Sequence, residues 1–208
     1  MSHAATSLPP DEALRILRRW GIGASAEHIA PGSGTANASA IVDAPAGRLM
    51  LRRRNPRYAR TDWVRFDHAL LRHLASDGLP VPRGVEGDLG LAWLREGDAV
   101  YELFEFIDGV QHDEGDADQL AEAAVVLAKI HRSAERFEPP VDKPWPRFHD
   151  PKDLPGWLEP LIDEASGEDV SVLHQALELA RELADRIPDD RYRALPQTVA
   201  QGDYHPAN

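Results

Sequence analysis

Residues 201–208 read QGDYHPAN, and the interpretation of the whole chain depends on this stretch. The short run TVA at 198–200 leads into it and is typical of a buried strand end. The glycine and proline inside the stretch mark a tight loop. Asp203 and Asn208 stand five positions apart within it. The pattern predicts a strand followed by a sharp loop that presents a carboxylate and an amide.

The Asp203–Asn208 pair suits phosphoryl transfer. A carboxylate orients the attacking hydroxyl and accepts its proton, and an amide oxygen holds Mg²⁺ beside the phosphates. The catalytic loop of protein kinases separates its Asp and Asn by the same interval. The alternative is a plain surface turn, because Gly-Asp and His-Pro pairs are common in turns.

The loop resembles the H-G-D-x-H-x-x-N loop of the aminoglycoside phosphotransferase family, which includes choline kinases and type II homoserine kinases. That family shares the protein-kinase fold. The resemblance implies Asp203 as the catalytic base, Asn208 as a magnesium ligand and ATP as the phosphoryl donor. Gln201 departs from the family, which usually has His at this structural position.

The composition limits the function classes that need considering. The 208 residues are 42% hydrophobic and 28% charged, which is typical of a soluble globular protein. The formal net charge of −12 argues against a nucleic-acid partner, because an acidic surface repels phosphate backbones. No apolar run approaches the ~20 residues that span a bilayer, so no membrane partner is expected. Residues 1–5 lack a basic region followed by an apolar core, so no signal peptide is expected there. The absence of cysteine fits a reducing cytoplasm.

The N-terminal half alternates between helical and strand-like patterns. Leu14, Leu17 and Trp20 recur at helical spacing and predict a short amphipathic helix. Residues 38–42 and 48–52 predict two strands joined by a turn-rich hairpin connection.

Gly32 and Gly34 lie in the turn before the first of these strands. In the kinase fold, a Gly-rich turn at this place lets backbone N–H groups approach the nucleotide phosphates. The resemblance implies a phosphate loop here, and a plain turn is the alternative.

Arg52 ends a strand that occupies the place of the kinase V-A-I-K strand. The resemblance aligns it with the lysine that pairs the α- and β-phosphates, and a guanidinium can hold phosphate oxygens bidentately. Alternation points Met50 and Arg52 to the same face of the strand. A shifted register would favour Arg53, and a solvated arginine in the basic run 52–54 is the remaining alternative.

Thr61 is a suitable N-cap for an amphipathic helix that ends near Asp77. The resemblance equates this helix with the αC-type helix of the family. Counting back from Pro82 places Asp67 where the family carries the Glu that pairs with the strand lysine. Because Arg is longer than Lys and Asp shorter than Glu, an Arg52–Asp67 pair would span a similar gap. Otherwise Asp67 is simply a polar-face residue of the helix.

Two more strands are predicted at 91–95 and 99–106. The second is similar to the hinge strand of the family, which joins the two lobes and meets adenine. The resemblance implies that the Glu105 carbonyl and the Ile107 N–H bind the adenine edge, with Phe104 at the back of the pocket. Without the resemblance, this segment would be interpreted as the core of a sheet.

The C-terminal half predicts helices at 118–136 and 170–187. Between them, residues 139–160 are rich in proline and tryptophan and are interpreted as a family-variable insertion that helps line the acceptor site.

The predicted architecture is α+β, a protein-kinase-like two-lobed fold. Residues 1–108 form an N-terminal nucleotide-binding lobe with an antiparallel sheet and an αC-type helix, and the hinge lies at about 104–109. Residues 109–208 form a partial, mostly helical C-terminal lobe that ends at the catalytic loop.

The leading hypothesis is an ATP-dependent O-kinase that moves the γ-phosphate to a hydroxyl of a metabolite or aminoglycoside-like acceptor. Such a kinase needs a second metal carboxylate soon after Asn208, which these 208 residues do not contain. They are therefore expected to be the front part of a longer kinase, with little or no activity alone. The same gap leaves open an inactive, nucleotide-binding pseudokinase. A hydrolase built on Asp203 and His205 would lack both a nucleophile elbow and metal-ligand spacing.

Overall fold

The computed structural model of the protein describes residues 7–32, 36–45, 47–109, 115–143, 150–196 and 198–200. These residues fall into two compact units. The first comprises the described residues up to Lys143 together with residues 199 and 200, and the second comprises the described residues within Pro144–Thr198. Within the described ranges, no helix is long and apolar enough to cross a bilayer.

The first unit contains an antiparallel sheet of five strands, β1 (Ile29–Pro31), β2 (Ala38–Ala44), β3 (Gly47–Arg53), β4 (Trp93–Glu96) and β5 (Ala99–Glu105). Their spatial order is β1-β2-β3-β5-β4. Both predicted hairpins are confirmed, with β4 beginning at Trp93 instead of Leu91. The pairing of β3 with β5 joins strands that are about 50 residues apart in the chain, and it places Arg52 next to Glu102.

Three α-helices belong to the same unit, α1 (Pro10–Arg18), α2 (Thr61–Ser76) and α3 (Ala117–Ala134). Pro10 lies in the first turn of α1, where a backbone N–H has no intrahelical acceptor, so the helix loses no hydrogen bond to proline there. Asp116 caps α3, because its side chain accepts hydrogen bonds from the N–H groups of Asp118 and Gln119. Helix α3 packs against α2.

Helix α1 covers one face of the sheet. Ile16 and Leu17 of this helix are fully buried in a cluster with alternate residues of three strands: Ala38, Ala40, Val42, Leu49, Leu51, Tyr101 and Leu103. Because successive side chains of a strand point to opposite faces, the residues between them lie on the other face. The predicted placement of Met50 and Arg52 on one face of the strand is confirmed.

The second unit contains α4 (Leu154–Glu164), α5 (Glu168–Arg186) and α6 (Asp189–Arg193), and α4 packs against α5. Helix α5 confirms the helix predicted at 170–187. The sequence does not predict α4, because its segment is rich in proline. Pro155 lies in the first turn, where proline is tolerated, but Pro160 lies inside the helix, where it removes a hydrogen bond.

Candidate active site

A row of four residues crosses the sheet on the face opposite α1: Gly32, Ser39, Arg52 and Glu102. The Gly32 N–H donates a hydrogen bond to the Ser39 carbonyl at 3.0 Å. Ser39 on β2 is the register partner of Arg52 on β3, and Arg52 is the register partner of Glu102 on β5. Directly paired residues project from the same face of a sheet. The predicted phosphate loop therefore begins in the same row as the predicted phosphate-binding cation, with Ser39 between them.

Gly32 has no room for a side chain. A Cβ atom built on it would lie 2.2 Å from Ser39 Oγ and 2.8 Å from Ser39 Cβ. The backbone at the start of the loop thus approaches β2 more closely than any other residue type allows. Gly34, the second glycine of the predicted loop, lies outside the described residues.

The Arg52 side chain is fixed at one edge of its guanidinium group. Its Nε donates to Glu102 Oε2 at 2.9 Å, and its Cζ lies 5.0 Å from the centroid of the Phe104 ring. The side chain is 28% exposed, and its two terminal nitrogens make no hydrogen bond to a described residue. Guanidinium N–H groups bind phosphate oxygens well, which suits this side chain to an anionic ligand.

Arg53 points to the opposite face of β3. Its Nη1 donates to Glu12 of α1 at 2.7 Å, and the Tyr101 hydroxyl donates to the same carboxylate at 2.6 Å. The shifted register that would place Arg53 at the site is therefore not the register of this sheet.

Glu102 is completely buried and accepts hydrogen bonds from three cationic or polar side chains. Arg52 Nε contacts Oε2, whereas Arg54 Nη2 lies 2.8 Å and His68 Nε2 lies 2.9 Å from Oε1. Burial opposes ionisation, but the hydrogen bond from His68 and the charges of Arg52 and Arg54 outweigh it. Together they hold the pKa of Glu102 well below the ordinary glutamate value.

The low pKa of Glu102 makes part of the stability depend on pH. Because the folded-state pKa is below the unfolded-state value, the contribution is fully present above about pH 5 and is lost as the pH falls further. We expect the difference in unfolding free energy between the protein and its Glu102→Gln variant to shrink steadily from about pH 5 to pH 3. Urea unfolding at several pH values measures this, and parallel pH profiles for the two proteins would contradict it.

Asp67 has partners other than the one expected. Its Oδ2 lies 2.8 Å from Arg54 Nη2, and its Oδ1 accepts a hydrogen bond from Lys143 Nζ. The expected Arg52–Asp67 pair is therefore corrected, since Arg52 pairs with Glu102 instead. The physical reason is alternation: Arg54 follows Arg52 by two positions, projects from the same face, and lies closer to α2.

The backbone hydrogen bonds of β5 indicate the directions of the peptide groups that the resemblance assigns to adenine. Phe106 N–H donates to the Arg48 carbonyl on β3, and Glu105 N–H donates to the Arg83 carbonyl on the other side of β5. In an antiparallel ladder the N–H and C=O of one residue point to the same side, so the Glu105 carbonyl points away from β3. Ile107 is 55% exposed. These assignments are compatible with the geometry and stay predictions.

Asp203 and Asn208, the predicted base and metal ligand, lie outside the described residues. In the parts of the chain that are described, no group of three or more His, Asp or Glu side chains is placed to hold a metal ion. The roles of Asp203, Asn208 and Gly34 therefore stay predictions.

Three residues of this site are missing from the sequence-based interpretation: Arg54, His68 and Glu102. His68 also stacks on Phe104, with ring centroids 5.6 Å apart and planes inclined by 7°. Alternation alone could have placed Arg54 beside Arg52. Nothing local to β5 indicates that Glu102 meets an arginine about 50 residues earlier in the chain.

Comparisons with known proteins agree with this architecture. A family model described as "Phosphotransferase enzyme family" matches residues 28–208. Comparison with curated protein sequences gives no significant match.

Several solved structures share the fold at low sequence identity. Amicoumacin kinase hAmiN, in complex with AMP-PNP, Ca²⁺ and Ami, has a TM-score of 0.62 and 16% identity, covering 83% of this chain and 53% of that one. Spectinomycin phosphotransferase APH(9)-Ia, in complex with ADP and spectinomycin, has a TM-score of 0.59 and 13% identity, covering 95% of this chain and 64% of that one. An aminoglycoside phosphotransferase from Alicyclobacillus acidocaldarius has a TM-score of 0.57 and 16% identity, covering 92% of this chain and 60% of that one.

The chain thus spans between about half and two thirds of the length of these three structures. The similarity confirms the predicted α+β, kinase-like fold. With most of its length matched by one family model, the chain belongs to the phosphotransferase enzyme family.

Proposed function

We propose that this sequence serves an ATP-dependent small-molecule O-kinase, which binds ATP on its N-terminal lobe and transfers the γ-phosphate to an acceptor hydroxyl. The observation that supports this most directly is the row that begins at Gly32 and ends at Glu102. It combines the start of a glycine-containing turn, where Gly32 lies close against β2, with a guanidinium that Glu102 fixes at Nε, and both suit a polyphosphate ligand.

In this proposal each part of ATP meets a different element. Gly32 and Gly34 cover the phosphates, and Arg52 binds the phosphate oxygens. The adenine edge meets the Glu105 carbonyl and the Ile107 N–H. All of these residues belong to the proposed nucleotide-binding lobe, residues 1–108.

The transfer step requires one general base to accept the proton of the acceptor hydroxyl. Asp203 accepts the proton of the acceptor hydroxyl while that oxygen forms a bond to the γ-phosphorus, and the bond from the γ-phosphorus to the ADP oxygen breaks. Asn208 would contribute to holding a divalent ion, proposed to be Mg²⁺, which neutralises charge on the phosphates. Positioning and electrostatic stabilisation supply most of the rate gain in such reactions.

The acceptor is proposed to be a hydroxyl-bearing small molecule, either a metabolite or an aminoglycoside-like compound. The ligands named for two structural neighbours, Ami and spectinomycin, are small molecules bound together with AMP-PNP or ADP. These names support the class of reaction for this chain.

Arg52→Met provides the test of nucleotide binding. Because the variant removes the phosphate-binding cation, we expect the affinity for ATP and ADP to fall by about 10- to 100-fold. Adenosine has no phosphates, so its affinity should change by less than about twofold. Isothermal titration calorimetry with the three ligands measures the difference.

The matched control is Arg65→Met. Arg65 is an exposed residue of α2 and has no ion pair with a described residue, so its replacement should leave all three affinities unchanged. Equal ATP affinity in the protein and in Arg52→Met would refute the phosphate role of Arg52. Absence of nucleotide binding in the unmodified protein would refute the proposed function itself.

A further inference from the structure

The cation of a protein-kinase site is normally held by an acid on the αC helix, so the position of that helix controls the active state. In this chain the corresponding arginine has a different anchor. Glu102 lies directly across from Arg52 in the register of β3 and β5, and Arg52 Nε donates to its Oε2. Both partners of this pair lie on the sheet.

The Glu102 carboxylate is itself held so that one oxygen is reserved for Arg52. Its Oε1 lies 2.8 Å from Arg54 Nη2 and 2.9 Å from His68 Nε2. Its Oε2 accepts from Arg52 Nε at 2.9 Å. A carboxylate fixed at one oxygen by two donors cannot rotate freely, so the other oxygen sets the direction of the Arg52 guanidinium.

Asp67, the acid of α2 that was expected to pair with Arg52, contacts other cations instead. It pairs with Arg54, which is only 8% exposed, and with Lys143. Arg54 therefore bridges Asp67 on the helix and Glu102 on the sheet. The bridge attaches α2 to the sheet, and it leaves the terminal nitrogens of Arg52 out of the network.

We infer that Glu102 is the positioning residue for the phosphate-binding Arg52, and that Asp67 instead serves to attach α2 to the sheet through Arg54 and Lys143. This inference rests on the proposed function, because it assigns a role within the same nucleotide site. Its consequence is that the direct partner of Arg52 lies on the sheet, and that α2 acts on this pair only through Glu102 Oε1, which His68 and Arg54 contact.

Four variants of the chain test the inference by calorimetry with ATP, ADP and adenosine: Arg52→Met, Glu102→Asp, Asp67→Asn and the double variant Arg52→Met/Glu102→Asp. Glu102→Asp keeps the buried charge but withdraws the carboxylate from Arg52. We expect this variant to bind ATP and ADP about tenfold more weakly than the unmodified protein, and to change the affinity for adenosine by less than twofold. In the Arg52→Met background the same change should have no further effect on ATP.

Asp67→Asn should behave in the opposite way. We expect its ATP affinity to stay within about twofold of the unmodified protein, while its thermal midpoint falls because Arg54 and Lys143 lose an acidic partner. Weakened ATP binding in Asp67→Asn together with normal binding in Glu102→Asp would overturn the inference. Equal weakening of ATP and adenosine by Glu102→Asp would also overturn it, since that result indicates general damage to the site.

A second measurement does not require Glu102→Asp to fold. The Arg52 Nε–H signal in ¹⁵N NMR spectra, assigned by its loss in Arg52→Met, should be protected from solvent exchange in the protein and in Asp67→Asn. Rapid exchange of this proton in the unmodified protein would overturn the inference. Failure of the unmodified protein to bind any nucleotide would instead overturn the proposed function, so the two failures are distinguishable.

Discussion

Asp203→Asn is expected to lower the kcat of phosphoryl transfer by about 10²–10⁴-fold, which is the range that general base catalysis contributes. Asparagine has nearly the same size as aspartate but cannot accept the proton of the acceptor hydroxyl. The affinity for ATP should stay within about threefold, because a base that contacts the acceptor makes little contact with the nucleotide. The measurement is ADP release in a polypeptide that contains this sequence and turns over ATP with an acceptor.

The control for this experiment is Asp88→Asn, which makes the same chemical change at an exposed loop position in the first unit. We expect its kcat to match that of the unmodified protein. A panel of hydroxyl-bearing acceptors should be screened first, so that the variant is assayed with an acceptor that gives a measurable rate. Unchanged kcat in Asp203→Asn would show that another group accepts the proton.

Glu102→Gln is expected to lower the free energy of unfolding by about 3–5 kcal/mol at neutral pH, the cost of removing one partner from a buried ion pair. The variant keeps the shape of the side chain and removes its charge. Arg54 would then remain buried, and among the described residues only the Asp67 carboxylate would be left to balance its charge. Chemical denaturation monitored by circular dichroism measures this loss.

Glu86→Gln is the matched control for stability. Glu86 is exposed, and the same substitution there should change the unfolding free energy by less than about 0.5 kcal/mol. A loss below about 1 kcal/mol for Glu102→Gln would mean that the two arginines find other partners or reach solvent. The electrostatic account of this cluster would then be wrong.

The replacement of a helix-based anchor by a strand-based anchor bears on how the site responds to motion. In protein kinases, a shift of αC breaks the lysine–glutamate pair and inactivates the enzyme. Here the Arg52–Glu102 pair spans two adjacent hydrogen-bonded strands, and α2 contacts it only through Glu102, by way of His68 and Arg54. We therefore expect Arg52, the proposed phosphate-binding residue, to keep its orientation with or without nucleotide.

Much of the fold follows from local patterns. The hairpin of β2 and β3 agrees with prediction, and α2 covers the predicted segment, because hydrophobic period and turn residues act over a few positions. Thr61 is the first helical residue of α2 and not its predicted N-cap, which is Arg60. The choice between Arg52 and Arg53 also depends on the period of two, which places Leu49 and Leu51 in the core. Helix α4 is not predicted, because it contains Pro160 and proline strongly disfavours a helix interior. Packing against α5 supports this helix in the folded protein.

The residue pattern alone was enough to specify the family, the two hairpins of the sheet, and the face of β3 that carries Arg52. It was not enough to specify which acid holds that arginine, and it indicated Asp67 where the structure has Glu102. The reason is physical. Hydrophobic period and turn chemistry are properties of neighbouring residues, whereas an ion pair depends on the register of distant strands and on where α2 packs against the sheet.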